Sequence, residues 1–350
     1  MNGNAQTIPE SSLDSRRAVT HHRLRTAAAG LVVAALCGCA LLRSAPRLVE
    51  EWLFVHFPGS GTLAQDRLLA LAATNQVAVT CAAPNVVTFA VELGCGELDY
   101  VPASRARQLL IVSNSSPLGY RPDVLRAIMA QRDAAERFAA QAATLATAGG
   151  YGGMLLDFRS LGARDVNSLV GLVAAVSDAA RVRNLPTVGI VIPVADTAAY
   201  PGRHLGPLTD FLALQLELEP SSPGPFAPRD RMARLVGARA AEIGAHRLML
   251  LIPAGGYLWR EGDPRVPVSF EGAAAAAREW GVDFVRDESS ATLRARAPGR
   301  GEVWVSDAVL IAGIVRDARR LGIRKFALYG LGGEDPAIWP AIRAEPEITR

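Results

Sequence analysis

The chain has few residues of the kinds that hold metal ions, and its charge is nearly balanced. Among 350 residues there are only five histidines and four cysteines, and the formal net charge is +3. The histidines are dispersed, so no group of side chains has the spacing of metal ligands, and we expect neither a metal ion nor a cofactor. The basic residues are scattered too, which argues against a nucleic-acid partner.

A nucleotide-binding motif is missing as well. No Gly-x-Gly-x-x-Gly follows an early strand-like segment, and this absence disfavours a doubly wound sheet that binds dinucleotides. Apolar residues, in contrast, make up 50% of the chain. That fraction provides a sizeable core and excludes a chain that is disordered over most of its length.

The N-terminal residues indicate export. A basic leader, residues 1–25 with four arginines from position 16 onward, precedes an apolar run at residues 26–43, which is the order found in export signals. The run suits an uncleaved anchor in the cytoplasmic membrane, a lipoprotein signal with Cys39 as the lipidated residue, or an ordinary cleaved signal. All three place the following domain in the periplasm or at the cell exterior, because arginines on the N-terminal flank favour a cytoplasmic N-terminus.

Two cysteines lie beyond this segment, Cys81 and Cys95. An oxidising compartment permits them to form a disulfide, and closing the short loop between them would contribute roughly 3 kcal/mol in the chain-entropy description. Two separate buried thiols are the alternative.

The remainder of the chain predicts a (β/α)8 TIM barrel, a single α/β domain behind the hydrophobic segment. Short apolar runs alternate with longer stretches of helical period over residues 76–345, as in repeated βα units, and residues 44–75 are predicted as a linker and first helix. This length is close to the about 250 residues typical of such barrels, whose chemistry lies at the C-terminal ends of the strands. An open doubly wound sheet is the alternative. The predicted strands are Gln76–Thr80, Glu97–Val101, Gln108–Val112, Gly153–Phe158, Thr187–Ile192, Phe211–Leu216, Arg247–Ile252 and Lys325–Tyr329.

The fourth of these strands carries the most specific motif. Residues 149–161 resemble the fourth barrel strand of family-18 glycoside hydrolases, the chitinases and their relatives, whose motif reads Asp-x-x-Asp-x-Asp-x-Glu. The matching positions here are Gly152, Leu155, Asp157 and Arg159. Only Asp157 keeps its carboxylate, and the position of the catalytic glutamate holds Arg159.

The resemblance implies a reaction for which this chain lacks the proton donor. In the family a glutamic acid protonates the glycosidic oxygen, and the sugar's own acetamido group, oriented by the aspartate, acts as nucleophile. Strand alternation places Leu155, Asp157 and Arg159 on one inward face. A guanidinium, with a pKa above about 12, cannot act as a general acid. We therefore expect Arg159 either to pair with Asp157 or to bind an anionic or hydroxyl-rich ligand group.

A second departure lies in residues 210–218, which resemble the sixth strand of the family, where Met-x-Tyr-Asp is usual. Glu217 stands in the place of the tyrosine that holds the acetamido group, and Leu218 in the place of the aspartate. Glu217 is a candidate replacement acid. A salt bridge between Glu217 and Arg159 is the alternative expectation.

Aromatic residues follow the later strands. One branch of the family occurs with glycosyltransferase or polysaccharide deacetylase domains, and the Ser113-Asn114 pair is similar to that branch. In this branch the last strand ends with a tryptophan that lies under the sugar. Tyr329 takes that place here, before a Leu-Gly-Gly-Glu-Asp-Pro sequence similar to the branch's own ending. Tyr257 and Trp259 match a loop that lines the cleft in relatives. Such rings can stack on a pyranose without catalysis.

These residues predict a glycoside-hydrolase-like pseudoenzyme. We expect it to bind or scaffold an amino-sugar-containing envelope polysaccharide or oligosaccharide, tethered to the membrane, with glycosyltransferase or deacetylase proteins as further candidate partners. One alternative is an active glycosidase that acts on an N-acetylhexosamine polymer through altered catalytic residues, and another is a structural or protein-interaction barrel. The predicted glycan-contacting residues are Asp157, Arg159, Glu217, Tyr257, Trp259 and Tyr329.

Overall fold

The structure, a computed structural model, describes residues 50–56, 76–94, 108–116, 119–218, 221–330 and 333–344. The predicted leader and anchor at residues 1–43, and the strand predicted at residues 97–101, lie outside these ranges. In the part that is described, no helix combines the length and the apolar character needed to cross a membrane.

The described residues form both α-helices and β-strands. In chain order the strands are β1 (Glu51–Val55), β2 (Gln76–Ala78), β3 (Cys81–Pro84), β4 (Val91–Leu93), β5 (Leu109–Ser113), β6 (Ser115–Ser116), β7 (Gly119–Tyr120), β8 (Gly153–Asp157), β9 (Val188–Pro193), β10 (Phe211–Gln215), β11 (Leu248–Pro253), β12 (Gly256–Arg260), β13 (Val266–Val268), β14 (Val285–Arg286), β15 (Leu293–Ala297), β16 (Gly301–Val305) and β17 (Lys325–Tyr329). The helices are α1 (Pro122–Met129), α2 (Arg132–Ala148), α3 (Val166–Val182), α4 (Gly202–Leu205), α5 (Arg229–Ile243), α6 (Phe270–Trp280), α7 (Ala308–Arg320) and α8 (Ile338–Ala344).

The main sheet is a barrel of parallel strands. Its neighbours run β1, β17, β11, β10, β9, β8, β5 and β3. β2 and β3 are consecutive in the chain and only two residues apart. β2 pairs with β1, and β3 pairs with β5. Val77 of β2 also bridges to Gln108 beside β5, so the sheet closes on itself. The predicted (β/α)8 barrel is confirmed, and an open doubly wound sheet is wrong.

The barrel begins earlier than residue 76, the boundary that the sequence predicted. β1 lies within residues 44–75, predicted as linker and helix, and it pairs along its whole length with β17. Leu53 and Val55 point into the barrel interior, and Phe54 packs on the outside. The strand was missed because it is a single five-residue run close behind a long apolar segment, where periodicity carries little information.

Strand alternation fills the interior of the barrel. Leu155 on β8, Phe211 and Ala213 on β10, and Tyr329 on β17 belong to the buried interior cluster, while the residues between them pack outward beneath the helices. A side chain at Gly189 of β9 would collide with the ring of Phe211, so glycine makes room for that ring. The interior is therefore packed below its C-terminal end, and polar side chains sit above it.

A second sheet is inserted between β11 and α7. It is antiparallel, with the strand order β13, β12, β16, β15 and β14. One face packs its apolar residues against the alanine-rich side of α6. The other face carries Tyr257, Trp259 and Trp304, of which the two tryptophans join the main hydrophobic cluster. The loop predicted at Tyr257 and Trp259 is instead a strand, because both residues lie on β12.

Candidate functional site

The site lies at the C-terminal end of the barrel, where β8 and β10 end. Asp157 is the last residue of β8 and is 0% exposed. Its Oδ2 accepts a hydrogen bond from the Tyr120 hydroxyl at 3.1 Å and a longer one from Ser113 Oγ at 3.4 Å. Its Oδ1 accepts from Nε of Arg159, with which it forms an ion pair. Asp157 is therefore a fully engaged carboxylate.

Arg159 sits two residues further along, with a side chain that is 11% exposed. Besides Asp157, its guanidinium donates from Nη1 to Oε1 of Gln215, and it lies 5.5 Å from the ring centroid of Tyr120. Burial, the largest single influence, lowers the pKa of Arg159, but the interactions with Asp157, Tyr120 and Tyr329 together outweigh it, and the pKa is raised. Arg159 thus carries a permanent positive charge and has no proton to give.

The backbone of Arg159 is held by Asn114, the residue that follows β5. Asn114 accepts a hydrogen bond from the Arg159 N–H at 2.8 Å and donates one to the Arg159 carbonyl at 3.1 Å. The following residue, Ser160, has a φ of 62°, a left-handed conformation that is uncommon outside glycine. The surrounding contacts therefore fix the direction in which Arg159 enters the site.

A buried arginine supports the same region from α5. Arg239 is 1% exposed and donates to the carbonyl of Pro193, the last residue of β9, and to those of Val194, Asp196 and Tyr200 in the segment that follows. The hydroxyl of Tyr200 in turn donates to the Phe158 carbonyl at 2.8 Å. The segment after β9 is thereby tied to the end of β8.

The second carboxylate of the site belongs to Glu217, just beyond β10. Its Oε2 accepts from Gln215 Nε2 at 3.1 Å and from the Tyr329 hydroxyl, and its Oε1 accepts from the Tyr257 hydroxyl. Burial, and after it the charge of Glu217, raises the pKa of Tyr329 well above its ordinary value, so this phenol stays protonated and donates. All three donors to Glu217 are neutral groups.

Aromatic rings surround Tyr257 on the inserted sheet. Phe226 meets its ring edge-on at 5.6 Å between centroids, and Trp259 lies 5.9 Å away. The guanidinium of Arg265 stands 4.8 Å from the ring centroid of Tyr257. The part of the site around Glu217 is therefore rich in aromatic rings, and one of these rings, that of Tyr257, already contacts a cation, Arg265.

The structure joins most of the predicted site residues in one hydrogen-bonded network. Asp157, Arg159, Glu217, Tyr257 and Tyr329 are linked through the amide of Gln215, which accepts from Arg159 and donates to Glu217. The ion pair expected between Asp157 and Arg159 is present, whereas Gln215 stands between Arg159 and Glu217, for which a salt bridge was the expectation. Trp259 is one ring removed from the network and is buried in the core.

Two members of the network were missed in the sequence. Gln215 could have been found, because it is the last residue of β10 and precedes Glu217 by two residues, and alternation turns both toward the interior. Tyr120 gave no such signal. It stands on the short β6–β7 hairpin after β5, and only the folding of that hairpin brings its hydroxyl to Asp157.

Three other predictions concern cysteines and metals. Cys81 is disulfide-bonded, but Cys95 lies outside the described ranges, so their pairing stays a prediction, as does lipidation of Cys39. Across the described residues, no cluster of three or more histidine, cysteine or acidic side chains is arranged to hold a metal ion.

No protein-family model matches the sequence, and no curated protein matches it either. Solved structures do match it. A chitinase from Chromobacterium violaceum is 23% identical, with a TM-score of 0.71, over 84% of this chain and 98% of that one. The spore cortex-lytic enzyme SleL from Bacillus megaterium is 17% identical, with a TM-score of 0.73, over 87% of this chain and 76% of that one.

A chitinase variant from Cycas revoluta, solved in complex with (GlcNAc)4, is also similar. It is 18% identical, with a TM-score of 0.66, over 83% of this chain and 98% of that one. Because these identities are low, the likeness establishes the fold and says nothing of activity.

Proposed function

We propose that this chain, whose fold is that of the family-18 glycoside hydrolases, binds an amino-sugar-containing polysaccharide or oligosaccharide without hydrolysing it. The observation that carries the proposal is the environment of Arg159. In the position of the family's catalytic acid, the chain has a guanidinium engaged by Asp157 and Gln215. A group that never releases its proton at ordinary pH cannot protonate a leaving oxygen.

The position of Glu217 argues in the same direction. A replacement acid would have to carry a proton on an oxygen, but both of its oxygens accept hydrogen bonds from tyrosine hydroxyls, and one also accepts from Gln215. Glu217 therefore serves as an acceptor in this arrangement. Hydrolysis through Asp157 and Glu217 would therefore have no proton donor, because both side chains act as hydrogen-bond acceptors.

Binding is supported by the combination of polar and aromatic groups at one end of the barrel. Tyr257 and Tyr329 provide rings with an apolar face and a polar edge, and Glu217 provides acceptors for sugar hydroxyls or amines. The Cycas revoluta chitinase, which shares the fold, was solved with an N-acetylglucosamine tetramer. An N-acetylhexosamine oligomer is thus the first ligand to test.

The test combines calorimetry with a reducing-end assay on N-acetylglucosamine oligosaccharides, from acidic to mildly alkaline pH. We expect saturable binding and no release of reducing ends. Release of reducing ends by the wild-type protein would instead identify an active glycosidase with altered residues. Neither binding nor release would favour a structural or protein-interaction barrel.

The location of the protein is a separate proposal, which rests on residues 1–43 of the sequence alone. We expect tethering to the cytoplasmic membrane, with the barrel on the outer side and polysaccharide-synthesising or deacetylating proteins nearby. Extraction of membranes at alkaline pH should leave the protein in the membrane fraction. If Cys39→Ala releases it, the tether is a lipid, and if the wild-type protein is already soluble, tethering is wrong.

A further inference from the structure

The charges of the site are not evenly balanced. The carboxylate of Asp157 is paired with the buried guanidinium of Arg159. Glu217, in contrast, accepts from the hydroxyls of Tyr257 and Tyr329 and from the amide of Gln215, all of them neutral. Among the described residues no side chain forms an ion pair with Glu217. One negative charge of the network is therefore left without an internal counter-charge.

The surroundings of Glu217 favour a cation over a neutral group. Tyr257 and Tyr329 bring their rings to the carboxylate through their hydroxyls, and Phe226 and Trp259 flank Tyr257. Aromatic faces next to a carboxylate attract ammonium groups. The guanidinium of Arg265 over Tyr257 shows that a ring of this group takes a cation.

The substitution at this position has a direct chemical consequence. By the resemblance of residues 210–218, Glu217 stands in the place of the tyrosine that holds the acetamido group. A carboxylate has no proton to donate to the acetamido oxygen and repels it, whereas an ammonium has three donors for a carboxylate. We infer that this site selects amino sugars with a free ammonium group over their N-acetylated forms, an inference that rests on the proposed function.

The test measures the affinity of the full-length protein for two oligosaccharides of equal length at mildly acidic pH, at which the amines of glucosamine are protonated. One is an N-acetylglucosamine tetramer, and the other is the corresponding glucosamine tetramer. A charge-assisted hydrogen bond predicts that the glucosamine tetramer binds at least about tenfold more tightly. Glu217→Gln, which keeps the shape and removes the charge, should reduce this preference to within about twofold. Glu136→Gln, on the exposed side of α2, is the matched control and should leave it unchanged.

The outcomes separate this inference from the function on which it rests. If the protein binds neither tetramer, the proposed function is wrong and the selectivity falls with it. If the acetylated tetramer binds as tightly or more tightly, glycan binding stands and the ammonium selectivity is wrong. A preference for glucosamine that survives in Glu217→Gln also overturns the assignment to Glu217. The wild-type comparison decides the selectivity even if the variant does not fold.

Discussion

The two halves of the site use the same kind of group, a carboxylate at the end of a barrel strand, in opposite ways. On the β8 half, Asp157 is fully buried and its charge is offset by Arg159. On the β10 half, the described residues that donate to the half-buried Glu217 are all neutral, namely Tyr257, Tyr329 and Gln215. The charges of the β8 half therefore balance each other, whereas the β10 half retains a negative charge that a ligand could neutralise.

This difference assigns different roles to the two carboxylates. A buried ion pair whose members also hold neighbouring strands is a structural element, and its removal affects folding before it affects binding. Where hydroxyl and amide groups hold a carboxylate, removing its charge lowers the free energy of unfolding of the protein only slightly. The comparison therefore predicts a large energetic difference between variants of the two halves.

The largest expected effect is that of Asp157→Ala. The change leaves the guanidinium of Arg159 buried without its counter-charge, and we expect a loss of about 3–5 kcal/mol in the free energy of unfolding, measured by urea denaturation. The control is Asp178→Ala on α3, which removes an exposed partner of Arg181 and should cost less than about 1 kcal/mol. Equal costs for the two variants would contradict the structural role of the β8 half.

The next effect appears at high pH and concerns the tyrosines behind both halves. Burial, as the largest cause, raises the pKa of Tyr200 from 10.0 to about 12. As the pH rises, the Tyr200 hydroxyl loses its proton in the unfolded chain before it does so in the folded protein. The contribution of Tyr200 to the free energy of unfolding is therefore complete below about pH 10 and is lost as the pH rises through about 12. The loss amounts to about 2–3 kcal/mol for this residue.

Urea denaturation at neutral and at strongly alkaline pH measures this loss. Burial also raises the pKa values of Tyr120 on the β8 half and Tyr329 on the β10 half, so their losses add in the same direction. Tyr200→Phe should lose less stability than the wild-type protein over the same pH interval. An identical loss in the variant would show that the Tyr200 hydroxyl titrates alike in the folded and unfolded chain.

The smallest expected effect is that of Glu217→Gln on stability. Because the three donors are neutral and a glutamine can still accept from one of them, we expect a change below about 1 kcal/mol in the free energy of unfolding. The same denaturation experiment compares it with Asp157→Ala. A cost similar to that of Asp157→Ala would mean that both halves are structural, and the distinction between them would be lost.

Much of the fold could be predicted from the sequence because apolar runs and their spacing encode it directly. β8 was predicted because Met154-Leu155-Leu156 is continuously apolar, as in a strand covered on both faces. β1 was missed because one short run beside a long apolar segment has no periodicity to distinguish it. The inserted sheet was missed because Tyr257 and Trp259 were matched to a cleft-lining loop, whereas they lie on β12.

The site was predicted in part, and for a physical reason. Alternation along one strand places Asp157 next to Arg159, so their pairing follows from local sequence. The connection of Arg159 to Glu217 through Gln215 depends on the distance between β8 and β10 across the barrel. The contact of Tyr120 with Asp157 depends on a hairpin. Neither distance is encoded in any short segment.

The most direct measurement is a crystal structure of the protein after long incubation with an amino-sugar tetramer. The account predicts an intact oligosaccharide at the C-terminal end of the barrel, with a sugar ring against Tyr257 or Tyr329 and within hydrogen-bond distance of Glu217, and an unchanged Asp157–Arg159 pair. A cleaved oligosaccharide in the site, or one held by an Arg159 that has left Asp157, would contradict it.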